Sequence, residues 1–189
     1  MSRKGRKAAP AILQECEDPW GRFAPPFATQ GRSYKRQCKS CQTREPMPLQ
    51  LTPANDSHRT FARDLTRRAM LPYYREYDLL WLEEAFDEAW GWREQWLVTE
   101  GDAVLGFCSL SQDRQALFIR ELHLLPEHRG RGVGSWVLEQ LALWARQRHL
   151  PLLRLMVFRS NPARVLYQRH GFVEMGEDEC FVRMQRTID

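Results

Sequence analysis

From residue 49 onward, hydrophobic positions recur with two different periods, and these periods define the predicted elements. Apolar residues spaced three to four apart predict helices over residues 55–70, 79–90, 133–148 and 162–170. Short alternating or continuous apolar runs predict strands at residues 49–51, 96–99, 104–110, 116–125, 152–158, 172–175 and 181–184. The order β-α-α-β-β-β-α-β-α-β-β predicts an α/β fold, a mixed sheet with helices on both faces and one β-α-β crossover.

Turn-forming residues set the expected ends of several elements. Either Asn55 or Asp56 is expected to cap the first helix, and Pro72 is expected to stop it. The stretch Glu100-Gly101-Asp102 is expected to form a tight hairpin between two strands. The pair Asn161-Pro162 is typical of a helix start, with the Asn as cap and the Pro as first helical residue.

Residues 1–48 differ from the remainder of the chain in pattern and in charge. They show no sustained period, and six prolines interrupt them. Residues 1–50 carry ten Lys or Arg against four Asp or Glu, whereas residues 51–189 carry 18 against 20. We therefore expect an irregular basic arm over residues 1–48 and a domain over residues 49–189. The domain's composition does not favour a nucleic-acid partner, and a contact through residues 1–7 stays open.

The sequence predicts a cytoplasmic protein with no membrane partner and no metal. No apolar run reaches the length of about 20 residues that a membrane helix needs. The apolar piece at residues 8–13 contains a proline and is too short for a secretory signal. Five scattered cysteines do not form a disulfide framework. Cys38 and Cys41 form a single CxxC pair without the second pair of a zinc site, although a metal or redox role for them stays open.

A glycine-rich stretch, residues 129–134, lies between the predicted strand 116–125 and the predicted helix that follows. Glycines let the backbone come close to a ligand, and the free N–H groups of a helix start attract anions. The stretch therefore predicts a phosphate cradle, with a plain turn as the alternative. The Gly-Lys-Ser/Thr of a nucleotide phosphate loop is absent, and glycines at every second position do not fit the dinucleotide fingerprint.

Two stretches resemble the GNAT superfamily, the Gcn5-related N-acetyltransferases. Residues 121–134 resemble its motif A, and Arg129-x-x-Gly132-x-Gly134 matches the R/Q-x-x-G-x-G/A signature. Residues 161–172 resemble the N-x-x-A-x-x-x-Y-x-x-x-G-F region, with Ala163 two rather than three places after Asn161. The resemblance covers residues 49–186. It implies a mostly antiparallel twisted sheet in which two parallel strands, 116–125 and 152–158, splay around acetyl-CoA.

The resemblance also implies that acetyl-CoA, as co-substrate, donates its acetyl group to a primary amine. The loop N–H groups would hold the pyrophosphate, and the backbone of Leu122 and Leu124 would bind the pantetheine arm and polarise the thioester carbonyl. Asn161 would cap its helix, contact the pantetheine, or both. The residues assigned to acetyl-CoA are Leu122, Leu124, Arg129, Gly130, Arg131, Gly132, Val133, Gly134, Ser135, Asn161 and Ala163.

Glu121 and Tyr167 are the expected catalytic residues. Glu121 lies in an otherwise apolar strand and matches a glutamate that serves as base in several family members, with an ion pair to an arginine as the alternative. His123, on the same strand face, is either part of a proton relay or structural. Tyr167 matches the family's general acid, with simple packing on the sheet as the alternative. Ala163 lies one helical turn earlier and leaves room for the sulfur.

The acceptor is an amine of unknown class: a protein amine, a polyamine, an amino acid or an antibiotic. Tyr73, Tyr74 and Trp81 lie in an aromatic and acidic region, residues 73–92, which would suit a cationic amine. The alternative is that these aromatic side chains belong to the core. The rival to an enzyme is a catalytically silent acetyl-CoA-binding or adaptor domain with a basic arm, and a homodimer stays open.

Overall fold

The computed structural model describes residues 47–189, so nearly all of the predicted arm, with Cys38 and Cys41, lies outside the described residues. The boundary between arm and domain stays a prediction. The described elements are β1 (Leu49–Pro53), α1 (Arg59–Glu76), α2 (Glu83–Trp90), β2 (Glu94–Glu100), β3 (Ala103–Gln112), β4 (Ala116–Leu124), α3 (Val133–Gln147), β5 (Leu152–Phe158), α4 (Ala163–Arg169), β6 (Val173–Glu177) and β7 (Phe181–Thr187). Among them, no helix has both the length and the apolar character that crossing a membrane requires.

The seven strands form one sheet in the order β1-β2-β3-β4-β5-β7-β6. Every neighbouring pair is antiparallel except β4 and β5, which are parallel. The crossover through α3 connects this parallel pair, as parallel strands require. The predicted order of elements and the mixed α/β sheet are confirmed.

The helices pack on both faces of the sheet, as predicted. On one face, Phe107 of β3 is fully buried and stacks on Trp90 of α2, with ring centroids 5.8 Å apart. On the other face, Trp96 of β2 packs against Trp144 of α3 at 4.5 Å. Alternate residues of a strand point to opposite faces, so each strand contributes to both layers of the core.

The predicted end of the first helix is wrong. Asn55 does cap a helical start, but it caps one 3-10 turn, and α1 begins after that turn at Arg59. α1 then continues through Pro72 to Glu76. A proline inside a helix removes one backbone hydrogen bond. Tyr73 and Tyr74 lie beyond it and pack against Phe158 of β5, and this tertiary packing offsets the lost bond.

The predicted start of the second helix is also wrong. Leu82 has extended backbone angles, so α2 begins at Glu83 and not at residue 79. The N–H of Leu79 donates to the Tyr74 carbonyl at 2.7 Å and so belongs to the end of α1. Trp81 then packs between Tyr74 and Phe86, at centroid distances of 5.7 and 6.2 Å. The apolar residues at 79–82, whose spacing predicted the start of a helix, lie in the loop between α1 and α2.

A bidentate ion pair joins β2 to the end of α3, and it gives a stability prediction. Two guanidinium nitrogens of Arg148 donate to the two Glu94 oxygens at 2.6 and 2.8 Å. These hydrogen bonds hold the pKa of the Glu94 carboxyl below its ordinary value. We expect Glu94→Gln to lower the free energy of unfolding by about 0.5–1 kcal/mol at pH 7.

Because the folded-state pKa of Glu94 is lowered, the ion pair contributes fully above the unfolded pKa of about 4.3 and is lost as the pH falls through the folded value. Urea unfolding of the wild type and Glu94→Gln should therefore differ at pH 7 and converge in acid. Glu100→Gln, at the exposed end of the same strand, is the matched control. A difference that does not change with pH would contradict this role of the pair.

Candidate active site

The parallel pair separates at the centre of the sheet. The register of β4 with β5 runs from Ala116↔Leu152 to Ile119↔Leu155 and ends there. From residue 120 onward, β4 keeps its antiparallel partner β3 on one side only. Residues 120–124 therefore present one backbone edge to the gap between β4 and β5, where an extended ligand can bind amide to amide.

The glycine-rich loop closes the end of this gap. Gly130 and Gly132 have φ values of +67° and +81°, in the left-handed region that favours glycine, and Gly132 directly precedes α3. A Cβ atom on either glycine would meet nothing within 4 Å, so the space before the loop is open. Arg129 donates from Nε to the Leu124 carbonyl at 3.0 Å and ties the loop to the end of β4.

These features fit an anion such as a pyrophosphate. The first N–H groups of α3, at residues 133–135, have no carbonyl one turn earlier in the helix to bind, and the helix dipole adds positive potential there. Arg131 adds a cationic side chain at the exposed surface of the loop. The loop thus has the donors and the open space that a phosphate cradle needs.

Glu121 lies in a buried polar cluster on the face that α1 and α2 cover. Its side chain is 1% exposed. One carboxylate oxygen lies 2.9 Å from Nε2 of His123, which is completely buried, and the other lies 3.4 Å from a guanidinium nitrogen of Arg93. Ser109 of β3 is the direct cross-strand neighbour of Glu121. The arginine contact that was the alternative to a base is therefore present, and Glu121 also contacts His123.

Several polar atoms around Glu121 have no hydrogen-bond partner among residues 47–189: Ser109 Oγ, Arg93 Nε, Gln95 Oε1 and His123 Nδ1. Buried polar atoms are almost always satisfied, by protein or by water. A small void lined by Arg93, Gln95, Ser109 and Glu121 lies at the same place. Such a group of atoms can hold ordered water next to a carboxylate.

Electrostatic coupling extends from this cluster to α1. Burial lowers the pKa of Arg93, and the negative charge of Glu121 opposes that shift. Burial also raises the pKa of Tyr74, and the Glu121 charge raises it further. Tyr74 therefore stays a neutral phenol next to the Glu121–Arg93 pair.

The second motif lies at the end of β5 and in α4. The N–H of Ala163 donates to Oδ1 of Asn161 at 2.9 Å, so Asn161 binds the start of α4 as predicted, although Pro162 is the N-cap residue and the helix begins at Ala163. Asn161, Ala163 and Tyr167 are each at most 1% exposed. The Tyr167 ring meets Phe172 edge to face at 5.8 Å. α4 starts just beyond the end of β5, so Tyr167 is on the β5 side and Glu121 on the β4 side.

The three aromatic residues assigned to the acceptor lie in or next to the core. Tyr73 stacks on Phe158 at 5.2 Å and is 7% exposed, and Tyr74 is 3% exposed. Trp81 is half-buried between them and α2. The structure thus packs Tyr73 and Tyr74 against Phe158 at the end of β5, and Trp81 against Tyr74.

Sequence reasoning missed Arg93 and Ser109. Both belong to the Glu121 cluster only through the register of β2, β3 and β4. A β-bulge complicates that register, because Leu110 pairs with Ile119 but Ser109 pairs with Glu121. No local pattern in the sequence marks such a bulge.

The parallel strands β4 and β5 separate, and β4 leads through the glycine-rich loop into α3. This arrangement indicates the acetyltransferase fold that residues 161–172 also resemble. The family model described as "Acetyltransferase (GNAT) domain" matches residues 92–174. These residues, 83 of the chain's 189, are similar to a GNAT acetyltransferase domain, and this match supports the GNAT superfamily.

Two curated relatives each match part of the chain. The [ribosomal protein bS18]-alanine N-acetyltransferase of Haemophilus influenzae is 33% identical over 80 residues, which cover 41% of this chain and 53% of that protein. The streptothricin acetyltransferase of Streptomyces lavendulae is 37% identical over 84 residues, which cover 43% of this chain and 44% of that protein. The chain thus spans about half the length of the curated relatives that it matches.

A solved structure extends the likeness over most of the fold. The ribosomal-protein-S18-alanine N-acetyltransferase from Escherichia coli superposes with a TM-score of 0.61 at 19% identity. The match covers 75% of this chain and 95% of that one. At this identity the likeness concerns the fold, and it confirms the predicted GNAT architecture.

Proposed function

We propose that this protein is an N-acetyltransferase that transfers the acetyl group of acetyl-CoA to a primary amine by direct attack. The observation that carries the proposal is the gap between β4 and β5, with the glycine loop at its end and Glu121 buried beside it. When bound, acetyl-CoA supplies an electrophilic thioester and a thiol leaving group. The match of residues 92–174 to a GNAT acetyltransferase domain supports this reaction class.

The cofactor contacts follow from the geometry of the gap. Backbone N–H groups of residues 130–135 would hold the pyrophosphate, assisted by Arg129 and Arg131. The open edge of β4 at Leu122 and Leu124 would bind the pantetheine amides. Asn161 would fix the turn on the β5 side, where Ala163 leaves room near Tyr167.

Glu121 would act as the general base. An amine is mostly protonated near neutral pH, and it must lose a proton to attack a carbonyl. The Glu121 carboxylate would accept that proton, directly or through water held by the surrounding polar atoms. His123 and Arg93 would keep the carboxylate in position.

Tyr167 would act as the general acid. A tyrosine hydroxyl is ordinarily protonated near neutral pH and can give its proton to a departing thiolate. Its position in α4, which follows β5, supports a division of labour between a base on β4 and an acid on α4. This arrangement matches the order of events, since the amine loses a proton and the sulfur gains one.

The test combines binding and turnover. Titration calorimetry should show acetyl-CoA binding, and thiol release should then appear with at least one amine from a panel of amino acids, polyamines, peptides and aminoglycosides. Binding without turnover on any amine would favour the silent acetyl-CoA-binding domain. An absence of both would overturn the proposal.

Gly132→Ala should weaken acetyl-CoA binding. A residue with a Cβ at a φ of +81° is strained by about 1–3 kcal/mol, and relief of that strain would turn the loop N–H groups away from the phosphates. We expect the Kd measured by calorimetry to rise about tenfold or more. Gly91→Ala, at a glycine with a φ of −70°, is the matched control and should leave the Kd unchanged. An equal Kd in wild type and Gly132→Ala would remove the loop from the cofactor site.

A further inference from the structure

A second cavity, of about 350 Å³, lies over the sheet where β4 and β5 begin to separate. Its apolar lining includes Phe118, Met156 and Met175. Three arginines from three different strands complete it: Arg120 of β4, Arg154 of β5 and Arg183 of β7. None of the residues assigned to acetyl-CoA or to catalysis lines this cavity.

Two of these arginines, Arg120 and Arg154, donate hydrogen bonds to uncharged side chains. Arg120 Nε donates to the Ser111 hydroxyl at 2.7 Å, and Arg154 Nε donates to the Gln185 side-chain oxygen at 2.8 Å. Their guanidinium carbons lie 4.6 and 5.9 Å from the centre of the Phe118 ring. Within residues 47–189, no carboxylate comes within ion-pair distance of Arg120, Arg154 or Arg183.

The acids on the neighbouring strand β6 are bound elsewhere. Glu174 pairs with Arg164 at 2.6 Å, and Glu177 lies 3.6 Å from Arg159. The Asp113 carboxyl accepts two backbone N–H bonds, and these lower its pKa more than the positive charges of Arg154 and Arg120 do. The cavity therefore keeps an excess of positive charge in a partly desolvated place, where a carboxylate is the complementary ligand.

The cavity lies beside the candidate base. Arg120 is the residue that the β-bulge inserts before Glu121, and its bond to Ser111 places it on the same sheet face as Glu121. Burial, and then the positive charge of Arg93, lower the pKa of Arg120, while the negative charges of Asp113 and Glu121 raise it. An acceptor held in the cavity would thus have its amine close to Glu121.

Two other occupants fit less well. The phosphates of acetyl-CoA belong at the loop after Leu125, six residues along the strand from Ile119, which is about 20 Å at strand spacing. The chain's own segment at residues 1–50 is strongly basic and does not complement three arginines. A polyamine meets the same repulsion.

We propose that this cavity binds the carboxylate of the acceptor, so that the acceptor is a small amine that carries a carboxylate: an amino acid with an apolar side chain. The inference rests on the proposed function and names its substrate class. Arg120, Arg154 and Arg183 would fix the carboxylate, and Phe118, Met156 and Met175 would contact the side chain. The volume matches a ligand of amino-acid size, at the lower end of small-molecule sites.

Matched acceptors test the charge requirement directly. We expect kcat/KM for leucine and phenylalanine to exceed that for leucinamide and phenylalaninamide by about tenfold or more, since only the acids can form charge-assisted hydrogen bonds with the arginines. The amides have the more easily deprotonated amines, so intrinsic reactivity alone would favour them. Spermidine and a leucine-initiated peptide amide serve as the cationic and peptide acceptors.

The variant Arg154→Gln/Arg183→Gln should reduce the ratio of acid to amide to about one, while its acetyl-CoA Kd stays that of the wild type. Arg183→Gln alone, at an exposed position, should reduce the ratio in part and guards against a folding defect of the double variant. Arg146→Gln, an exposed arginine bound to the Asp189 carbonyl, is the control that removes a charge elsewhere.

Each outcome separates the two proposals. Transfer to amides, spermidine or the peptide at rates equal to or above those for the free amino acids would overturn the cavity assignment and leave the acetyltransferase in place. An acid preference that survives in both arginine variants would also overturn it. No acetyl-CoA binding and no transfer to any amine would overturn the proposed function itself.

Discussion

Glu121→Gln is expected to lower kcat about 100-fold or more near neutral pH, because positioned general bases contribute 10²–10⁴ in rate. Gln has the same shape but cannot accept a proton from the amine. At high pH the amine is already neutral, so the variant should recover part of its rate there and lose most at low pH. The measurement is the pH profile of kcat with a saturating amine.

A structural effect of the same substitution must be separated from a catalytic one. Removing the carboxylate leaves Arg93 as a buried charge without its partner, which costs stability. The acetyl-CoA Kd and the unfolding midpoint therefore accompany the kinetics, and Glu100→Gln serves as the exposed control. A pH profile parallel to that of the wild type would assign the base to another group.

Tyr167→Phe is expected to lower kcat about 100-fold with little change in acetyl-CoA affinity. The substitution removes one hydroxyl and keeps the ring that packs on Phe172, so the fold and the cofactor site should persist. The measurement is kcat with a saturating amine beside the acetyl-CoA Kd, for the wild type and the variant.

The informative comparison for Tyr167 is kcat against Kd. Loss of kcat together with weaker acetyl-CoA binding would indicate packing rather than proton donation. Equal turnover in wild type and Tyr167→Phe would remove Tyr167 from the mechanism.

Most of the fold could be predicted from local pattern. β5, Leu152–Phe158, is an apolar run interrupted by Arg154 alone and is found at the predicted residues. The errors occur where tertiary packing overrides a local rule. Pro72 does not end α1, because the helix end beyond it packs on Phe158, and the apolar residues before α2 fill a loop.

The candidate site, like the fold, could be predicted from the sequence only where its residues form a local motif. The glycine loop and the Asn161 cap are local, so their residues could be read directly from the sequence. The partners of Glu121 come from other strands and depend on a bulge, which no local signal marks. The arginine cavity did leave a signal, since Arg154 and Arg183 interrupt apolar strands, but only the sheet order brings them together.

The sequence and the structure favour different classes of acceptor. Aromatic and acidic residues at 73–92 predicted a cationic amine, whereas Tyr73 and Tyr74 are buried against Phe158. The open cavity next to Glu121 carries arginines instead. An acceptor with a carboxylate would complement the charges of these arginines. The comparison of matched acids and amides distinguishes such an acceptor from the cationic amine that the sequence predicted.

The most direct measurement is a single-turnover reaction of the protein with acetyl-CoA and a mixture of amines, analysed by mass spectrometry. The proposed activity predicts one acetylated amine for each CoA released, formed faster by the wild type than by Glu121→Gln. Release of CoA without any acetylated amine, or recovery of intact acetyl-CoA with every amine tried, would contradict it.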